Sequence, residues 1–202
     1  MELILKHFPD LSPIQISQFE QLYDLYLHWN KKINVISRKD IDHLYTHHIL
    51  HSLSIAKIIE LGKAQNILDF GTGGGFPGIP LAIYYPKVQF HLVDSINKKI
   101  TVVDNIAKAL SLENVTTSHQ RVEDIKGLKF DAITCRAVAS TEQIIAWTAH
   151  LLKKNSLGWL LLKGGDLTNE LATIKNHSIK IHELYPFFKI SFFKEKYLLN
   201  IK

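Results

Sequence analysis

The chain has 202 residues, 46% of them apolar, one cysteine, and a formal net charge of +5 from 24 basic and 19 acidic side chains. That length and apolar share suit one domain with a sizeable core, and the lone Cys135 excludes an intrachain disulfide or a cysteine-based zinc cluster. No apolar run approaches the roughly 18 residues of a membrane span, and the opening MELILKHFPD, with an acid at position 2 and no basic leader, fits a soluble cytoplasmic protein.

In chain order, LSPIQI announces a helix: Ser12 as N-cap, Pro13 at the first helical position, Gln15 closing a capping box, and Leu11 and Ile16 placed for a hydrophobic staple. Phe19, Leu22, Tyr23 and Tyr26 follow on one face. A second helical pattern starts near Asp40, carries Tyr45, Ile49, Leu53 and Ala56 along one stripe, and stops at Gly62. Residues 1–64 therefore read as a helical N-terminal extension packed on a core of residues 65–202.

From Asn66 onward, short β-like runs alternate with helical ones. The candidate strands are NILDF, VQFHLVD, NVTTSH, FDAITCR and LGWLLLK, with helices near 78–85, 97–110, 140–152 and 166–176. Such alternation predicts an α/β fold, a mostly parallel sheet with right-handed crossovers covering both faces. The aromatic, alternating tail IHELYPFFKISFFKEKYLLNIK reads as a closing antiparallel pair. The charge excess also lies here: residues 136–202 hold ten basic and five acidic side chains, against seven of each in 1–65 and in 66–135. That imbalance favours a polyanionic partner, although solvated lysines give it equally well.

The most particular stretch is ILDFGTGGGFPGIPLAI, residues 67–83, with five glycines in eight positions, Gly71, Gly73, Gly74, Gly75 and Gly78. In an open α/β sheet the loop after the first strand floors the ligand crevice, where glycine lets backbone approach a ligand closely. A Walker-type G-x-x-x-x-G-K-[ST] is absent. Phe76 occupies the place of the third glycine of the dinucleotide fingerprint, which counts against dinucleotide binding. Asp69 stands two residues before the first glycine, and Asp94 ends the next strand, where an acid grips ribose hydroxyls. The combination resembles the S-adenosylmethionine site of Rossmann-like class I methyltransferases, and assigns Asp69, Gly71, Gly73, Gly75 and Asp94 to a cofactor pocket.

The segments WNKKINVIS (29–37), HHILHSL (47–53), DFGTGGGFPGIPLAI (69–83), LVDSINKKITVV (92–103), RVED (121–124), FDAITCRAVA (130–139) and LLLKGG (160–165) occur in order over nearly the whole chain. Together they resemble the bacterial small-subunit ribosomal RNA methyltransferase G family, also called glucose-inhibited division protein B. The resemblance implies a seven-stranded Rossmann-like fold and methylation of a 16S rRNA guanine at N7 from S-adenosylmethionine. Its partner would be the small ribosomal subunit, and the enzyme would act as a monomer. It further implies a cofactor lying against Gly71 and Phe76, with Val122 and Glu123 beside the adenine, Asp94 on the ribose, and Arg136 at the end of the fourth strand. Family members usually read H-H-x-x-D-S-L where this chain has His51. An RNA-binding assembly factor with a vestigial pocket remains the alternative at this point.

Arg136 is the substrate-positioning candidate, since a guanidinium can hold a phosphate, a carboxylate or a base face. Lys163, ending the fifth strand, is a candidate phosphate contact, and Lys31, Lys32, Arg38, Lys39, Lys98 and Lys99 form a candidate RNA-facing set. His43, His47 and His51 are four apart and would share a helix face with His48 nearby. Without H-E-x-x-H or a cysteine they read as a polar face toward RNA or the cofactor core, with no metal expected. Trp29 and Cys135 read as core residues.

Overall fold

In the computed structural model, which describes residues 1–202, the first helices are α1 (Glu2–His7) and α2 (Pro13–Lys32). The Ser12 hydroxyl accepts from Gln15 N, and the Gln15 side chain accepts from Ser12 N at 2.9 Å, completing the capping box. Gln15 Nε2 also donates to the carbonyls of Ile83 and Tyr84 at 2.8 and 2.9 Å, and Gln18 Nε2 donates to that of Leu110 at 2.8 Å. Helix C-termini leave such carbonyls without intrahelical partners, so α2 both packs an apolar face and ties down two later helix ends.

The second helical pattern departs from expectation. A 3₁₀ turn at Ile41–His43 leads into a π-helix at Leu44–Leu50 and only then into α3 (His51–Ile58). The helix ends before Gly62 because Ile59 is already extended, at φ −118° and ψ 124°.

The alternating part of the chain runs β1 (Asn66–Phe70), α4 (Gly78–Tyr84), β2 (Gln89–Asp94), α5 (Asn97–Ala109), β3 (Val115–His119) and β4 (Ala132–Arg136). It continues with α6 (Thr141–Thr148), β5 (Gly158–Gly164), α7 (Thr168–Ala172), β6 (Ile179–Glu183), α8 (Tyr185–Phe188) and β7 (Lys196–Ile201). Helix α7 is shorter than the expected 166–176, starting where Asp166 Oδ1 accepts from Thr168 N at 2.9 Å. The seven strands form one sheet in the order β3-β2-β1-β4-β5-β7-β6, in which β1 to β5 are parallel and β7 is antiparallel to both neighbours.

Successive strand side chains point to opposite faces, and the cores divide accordingly. Ile67, Ala132, Leu160, Leu162 and Leu198 belong to a cluster of 35 buried residues that also takes in α1, α2 and the 41–61 segment. Leu68, Ile133, Cys135, Leu161 and Leu199 belong to a second cluster of 16 on the α6 side. The larger face is the one the first 60 residues cover. Strand order reverses between β1 and β4, which places the ligand crevice at the carboxyl ends of β1, β2 and β4. No helix is long and apolar enough to cross a membrane.

Candidate active site

A cleft of about 410 Å³ opens at that point, lined by Val35, Phe70 to Gly74, Phe76, Val93 to Ile96, Lys99, Gln120 to Glu123, Arg136 to Val138 and Trp147. Of the sequence-predicted cofactor residues it brings together Gly71, Gly73, Phe76, Asp94, Val122, Glu123 and Arg136.

Asp69 and Gly75 correct the reading, because both stand behind the wall. Asp69 is fully buried, at the strand position paired with Thr134 on the face that α4 covers. Its Oδ2 accepts from Thr72 Oγ1 at 2.6 Å and Gly78 N at 3.0 Å, and its Oδ1 accepts from Thr134 Oγ1 at 3.1 Å. Burial raises its pKa to about 6 against the pull of these hydrogen bonds. Asp69 thus ties both ends of the glycine loop to the sheet. A Cβ on Gly78 would come within 2.7 Å of Asp69 Oδ2, so only glycine lets the start of α4 approach. A Cβ on Gly75 would point at Ile79 and the Tyr26 hydroxyl, away from the cleft.

Gly73 is different. It takes φ +59°, and a Cβ built there meets nothing nearer than Gly71 O at 3.9 Å, so it faces open cleft. Gly73 N donates to Asp94 Oδ2 at 3.0 Å and Ile96 N donates to Asp94 Oδ1 at 2.9 Å. Lys99 Nζ stands 3.7 Å from Oδ2. One lone-pair position on each carboxylate oxygen therefore remains for a ligand. Past the end of β4, Ala137 adopts a left-handed φ of +55° and carries the chain so that the exposed Val138 lies over Gly71.

Arg136 is held from the N-terminal side. Its Nη1 donates to His47 O at 3.2 Å, its Nη2 donates to His48 Nδ1 at 3.0 Å, and its Cζ lies 5.0 Å from the centre of the Phe76 ring. Phe76 in turn stacks on Tyr26 at 4.8 Å, whose hydroxyl donates to Gly74 O at 2.6 Å. Burial lowers the Arg136 pKa to about 10, opposed by Asp69, Tyr26 and Asp40, so the guanidinium is charged at neutral pH. His48 Nε2 lies 2.6 Å from Asp40 Oδ2, and His47 Nδ1 lies 2.6 Å from Asp40 Oδ1. Burial, and after it Arg136, push the His48 pKa down to about 4.

Of the two directions expected for the histidine face, His47 and His51 take the one toward the core, meeting aromatic rings of the C-terminal segment, while His43 stays exposed. His43 stacks on His47 at 4.6 Å, His47 on Phe192 at 4.0 Å, and His51 sits edge-on to Phe192 and Phe193. His51 is buried with Nε2 unpartnered, and burial holds it neutral, well below the usual histidine range. No group of three His, Cys, Asp or Glu side chains is placed to hold a metal ion.

Lys163 is a further correction. Its Nζ donates to Glu170 Oε1 at 2.6 Å and Ala139 O at 2.8 Å, and the side chain is only 11% exposed, so it braces α7 against the sheet instead of reaching phosphate. Lys31, Lys32, Arg38, Lys39 and Lys98 are exposed on the segments that carry Val35 and Ile96 to the cleft, while Lys99 lies in the cleft beside Asp94. Trp29 is half-buried against the core with Lys32 Nζ 5.0 Å over its ring. Cys135 is buried, with its thiol pKa pushed up by burial. Sequence reasoning missed Val35, Phe70, Ile96, Gln120, Arg121 and Trp147; the first three and Arg121 lie inside the WNKKINVIS, DFGTGGGFPG, LVDSINKK and RVED segments, while Gln120 and Trp147 carry no motif signal. Asn30 explains how Val35 arrives: its amide donates to Ile36 O at 2.7 Å and accepts from Val35 N and Ile36 N, folding the chain back after α2.

The family model described as rRNA small subunit methyltransferase G matches residues 15–196. The chain is 51% identical to the ribosomal RNA small subunit methyltransferase G of Christiangramia forsetii over 201 residues, 97% of this chain and 94% of that one. It is also 51% identical to the protein of the same name from Bacteroides thetaiotaomicron, over 97% of each chain. Among solved structures, a mutant of MtNAS in complex with S-adenosylmethionine matches 93% of this chain and 75% of its own with a TM-score of 0.60 at 13% identity. The precorrin-6y C5,15-methyltransferase of Geobacter metallireducens matches 74% of this chain and 77% of its own at 0.54 and 14% identity. At such identities these structures speak for the fold.

Proposed function

Since the chain belongs to the rRNA small subunit methyltransferase G family, we propose that its cleft holds S-adenosylmethionine and that it methylates N7 of a guanine in 16S rRNA, acting on the small ribosomal subunit in the cytoplasm as a monomer. The observation that carries this reading is the pairing of Gly73 with Asp94. One presents open backbone to the cleft, and the other keeps an acceptor position on each carboxylate oxygen. These residues fit a nucleoside: Asp94 would take the ribose hydroxyls, and Val122, Glu123 and Ile96 would flank the base. The volume is in the range of a small-molecule site.

When bound, S-adenosylmethionine supplies an electrophilic methyl group on a sulfonium sulfur. Guanine N7 carries an in-plane lone pair and no proton, so transfer to it would form an N–C bond as the S–C bond broke, with no proton to move and the positive charge passing to the base. The residues lining the cleft need include no general base. Their contribution is alignment, which can supply on the order of 7–11 kcal/mol. Arg136 uses one N–H of Nη1 and one of Nη2 on the π-helix, leaving three of its five N–H groups for acceptors in the cleft. On a guanine nucleotide those acceptors are O6, beside N7, and the phosphate oxygens. The target base must be unpaired or flipped to arrive. Lys31, Lys32, Arg38 and Lys98 would hold the flanking backbone.

The test is transfer of labelled methyl to small subunits and to naked 16S rRNA from a strain lacking this protein, with N7-methylguanine located by chemical strand cleavage. One labelled guanine is the expected result. Cofactor binding without label on RNA would overturn the substrate assignment, and no cofactor binding would overturn the enzyme assignment.

A further inference from the structure

The π-helix carries a hydrogen-bonded chain that the reaction itself does not call for. Arginine has no acceptor atom, so the 3.0 Å contact between Arg136 Nη2 and His48 Nδ1 fixes Nδ1 as the lone-pair nitrogen of the ring. The proton of neutral His48 is then on Nε2, where it donates to Asp40 Oδ2 at 2.6 Å. Asp40 is fixed in turn by the second histidine, His47 Nδ1, on its other oxygen. The His47 carbonyl accepts from Arg136 Nη1 at 3.2 Å, and the His48 ring leans on Phe76 at 5.1 Å, the same ring the guanidinium covers. Two adjacent residues of one π-helical turn thus grip both terminal nitrogens of the arginine, and a carboxylate sets the tautomer that makes the grip attractive.

We propose that Asp40 and His48 are positioning residues for methyl transfer: Asp40 holds His48 in the Nε2–H tautomer, and His48 Nδ1 orients the Arg136 guanidinium over Phe76 so that its free N–H groups face the substrate. The proposal rests on the reading that Arg136 contacts substrate in the cleft. The opposite tautomer would place an N–H against the guanidinium, and a protonated ring would add a charge there. The lowered basicity of His48 fits that arrangement. Wide π-turns recur at functional sites, and this one offers His47 O and His48 Nδ1 to a side chain that lies 88 or 89 residues away in sequence.

The two ends of the imidazole can be tested separately. In His48→Asn the amide oxygen falls where Nδ1 was, so it still accepts from Arg136. In His48→Gln the amide reaches toward Asp40 and the acceptor for Arg136 is lost. Both variants, with Arg136→Lys, are assayed for kcat and KM on unmethylated small subunits, for S-adenosylmethionine Kd by calorimetry, and for thermal unfolding. The expected result is a kcat lowered about 100-fold in His48→Gln, the scale of a misplacement of about 1 Å, with Kd little changed. His48→Asn keeps kcat within about threefold to fivefold of the unmodified enzyme, because alignment is retained. If both variants keep activity, if both lose it equally, or if Asn fails where Gln succeeds, the acceptor at Nδ1 is not what matters and the proposal falls. Full activity of Arg136→Lys would instead overturn the underlying reading of Arg136, whatever the histidine variants do.

Discussion

Replacing Asp94 with alanine tests the cofactor half of the cleft most directly. The carboxylate is 7% exposed and already holds Gly73 N and Ile96 N, one on each oxygen, at 3.0 and 2.9 Å. The acceptor position left on each oxygen can take one ribose hydroxyl. A hydrogen bond to a charged acceptor contributes about 1.5–3 kcal/mol in favourable cases. Here the hydroxyls exchange bonds with water, and Lys99 at 3.7 Å already draws on the carboxylate charge. The pair together is therefore worth about 1–3 kcal/mol, or roughly 5- to 150-fold in Kd. Asp94→Asn keeps the shape and one oxygen, but its amide nitrogen must face a backbone N–H, so its Kd lies between those of alanine and aspartate. Calorimetric titration with S-adenosylmethionine and S-adenosylhomocysteine reads both variants, and thermal unfolding shows that each is folded. A folded Asp94→Ala with a Kd within about twofold of the unmodified protein would remove the ribose role and, with it, the orientation assigned to the cofactor.

Gly73→Val abolishes cofactor binding, because the side chain would occupy the open space beside Gly71 O, and it lowers stability by about 1–2 kcal/mol because φ is +59° there; retained binding in calorimetry would refute this. Asp69 has a pKa raised by burial to about 6, so the folded state holds its proton more tightly than the unfolded chain does. Its contribution to stability is present below the ordinary aspartate pKa of 3.8 and is lost as pH rises through about 6. Asp69→Asn, a neutral side chain that can still accept from Gly78 N and Thr72 and donate to Thr134, removes that part of the pH dependence. Denaturant unfolding of both proteins from about pH 4 to 7 checks it, and parallel curves would refute it. Lys163→Ala costs about 1–3 kcal/mol by removing the Nζ hydrogen bonds to Glu170 Oε1 and Ala139 O, Glu170 keeping those from Thr141, and leaves the salt dependence of RNA binding unchanged. Arg38→Ala and Lys31→Ala instead each flatten the salt slope by about one; filter binding across salt concentrations separates them.

What was legible in the sequence was local. The capping box, the strand runs and the glycine loop each follow from chemistry within a few residues, and all three form where LSPIQI, NILDF and GTGGGFPG place them. Asp94 could be read because an acid ending the second strand has one direction to face. In sequence alone an acid before glycines looks the same on either side of the wall, so Asp69 reads as a pocket residue. Strand parity decides it: Asp69 shares a face with Ile67, under α4, and its partners Thr72, Gly78 and Thr134 close round it there. Lys163 carried a usable signal in Glu170, seven residues on, once β5 and α7 are packed together. The π-turn had none. HHILHS is compatible with an ordinary helix, and the groups that turn toward it, Arg136 on β4 and Phe192 after α8, come from the far end of the chain.

The same division runs through the site. On the proposed reading its cofactor side is built from loops that follow consecutive strands, which carry Gly73, Asp94 and Val122 to the cleft. Its substrate side depends on the first 60 residues: Val35 closes on Gly74, Tyr26 supports Phe76 and holds Gly74 O, and the π-helix fixes Arg136. Perturbing the N-terminal helices should therefore move kcat and the RNA KM while leaving the cofactor Kd near its original value, and perturbing the strand-end loops should do the reverse. Arg136 is where the two halves meet. It is carried by a sheet strand and held by a helix from the other half, so on the proposed reading its guanidinium is in place for the substrate only when the N-terminal segment is docked on the face of the sheet it covers.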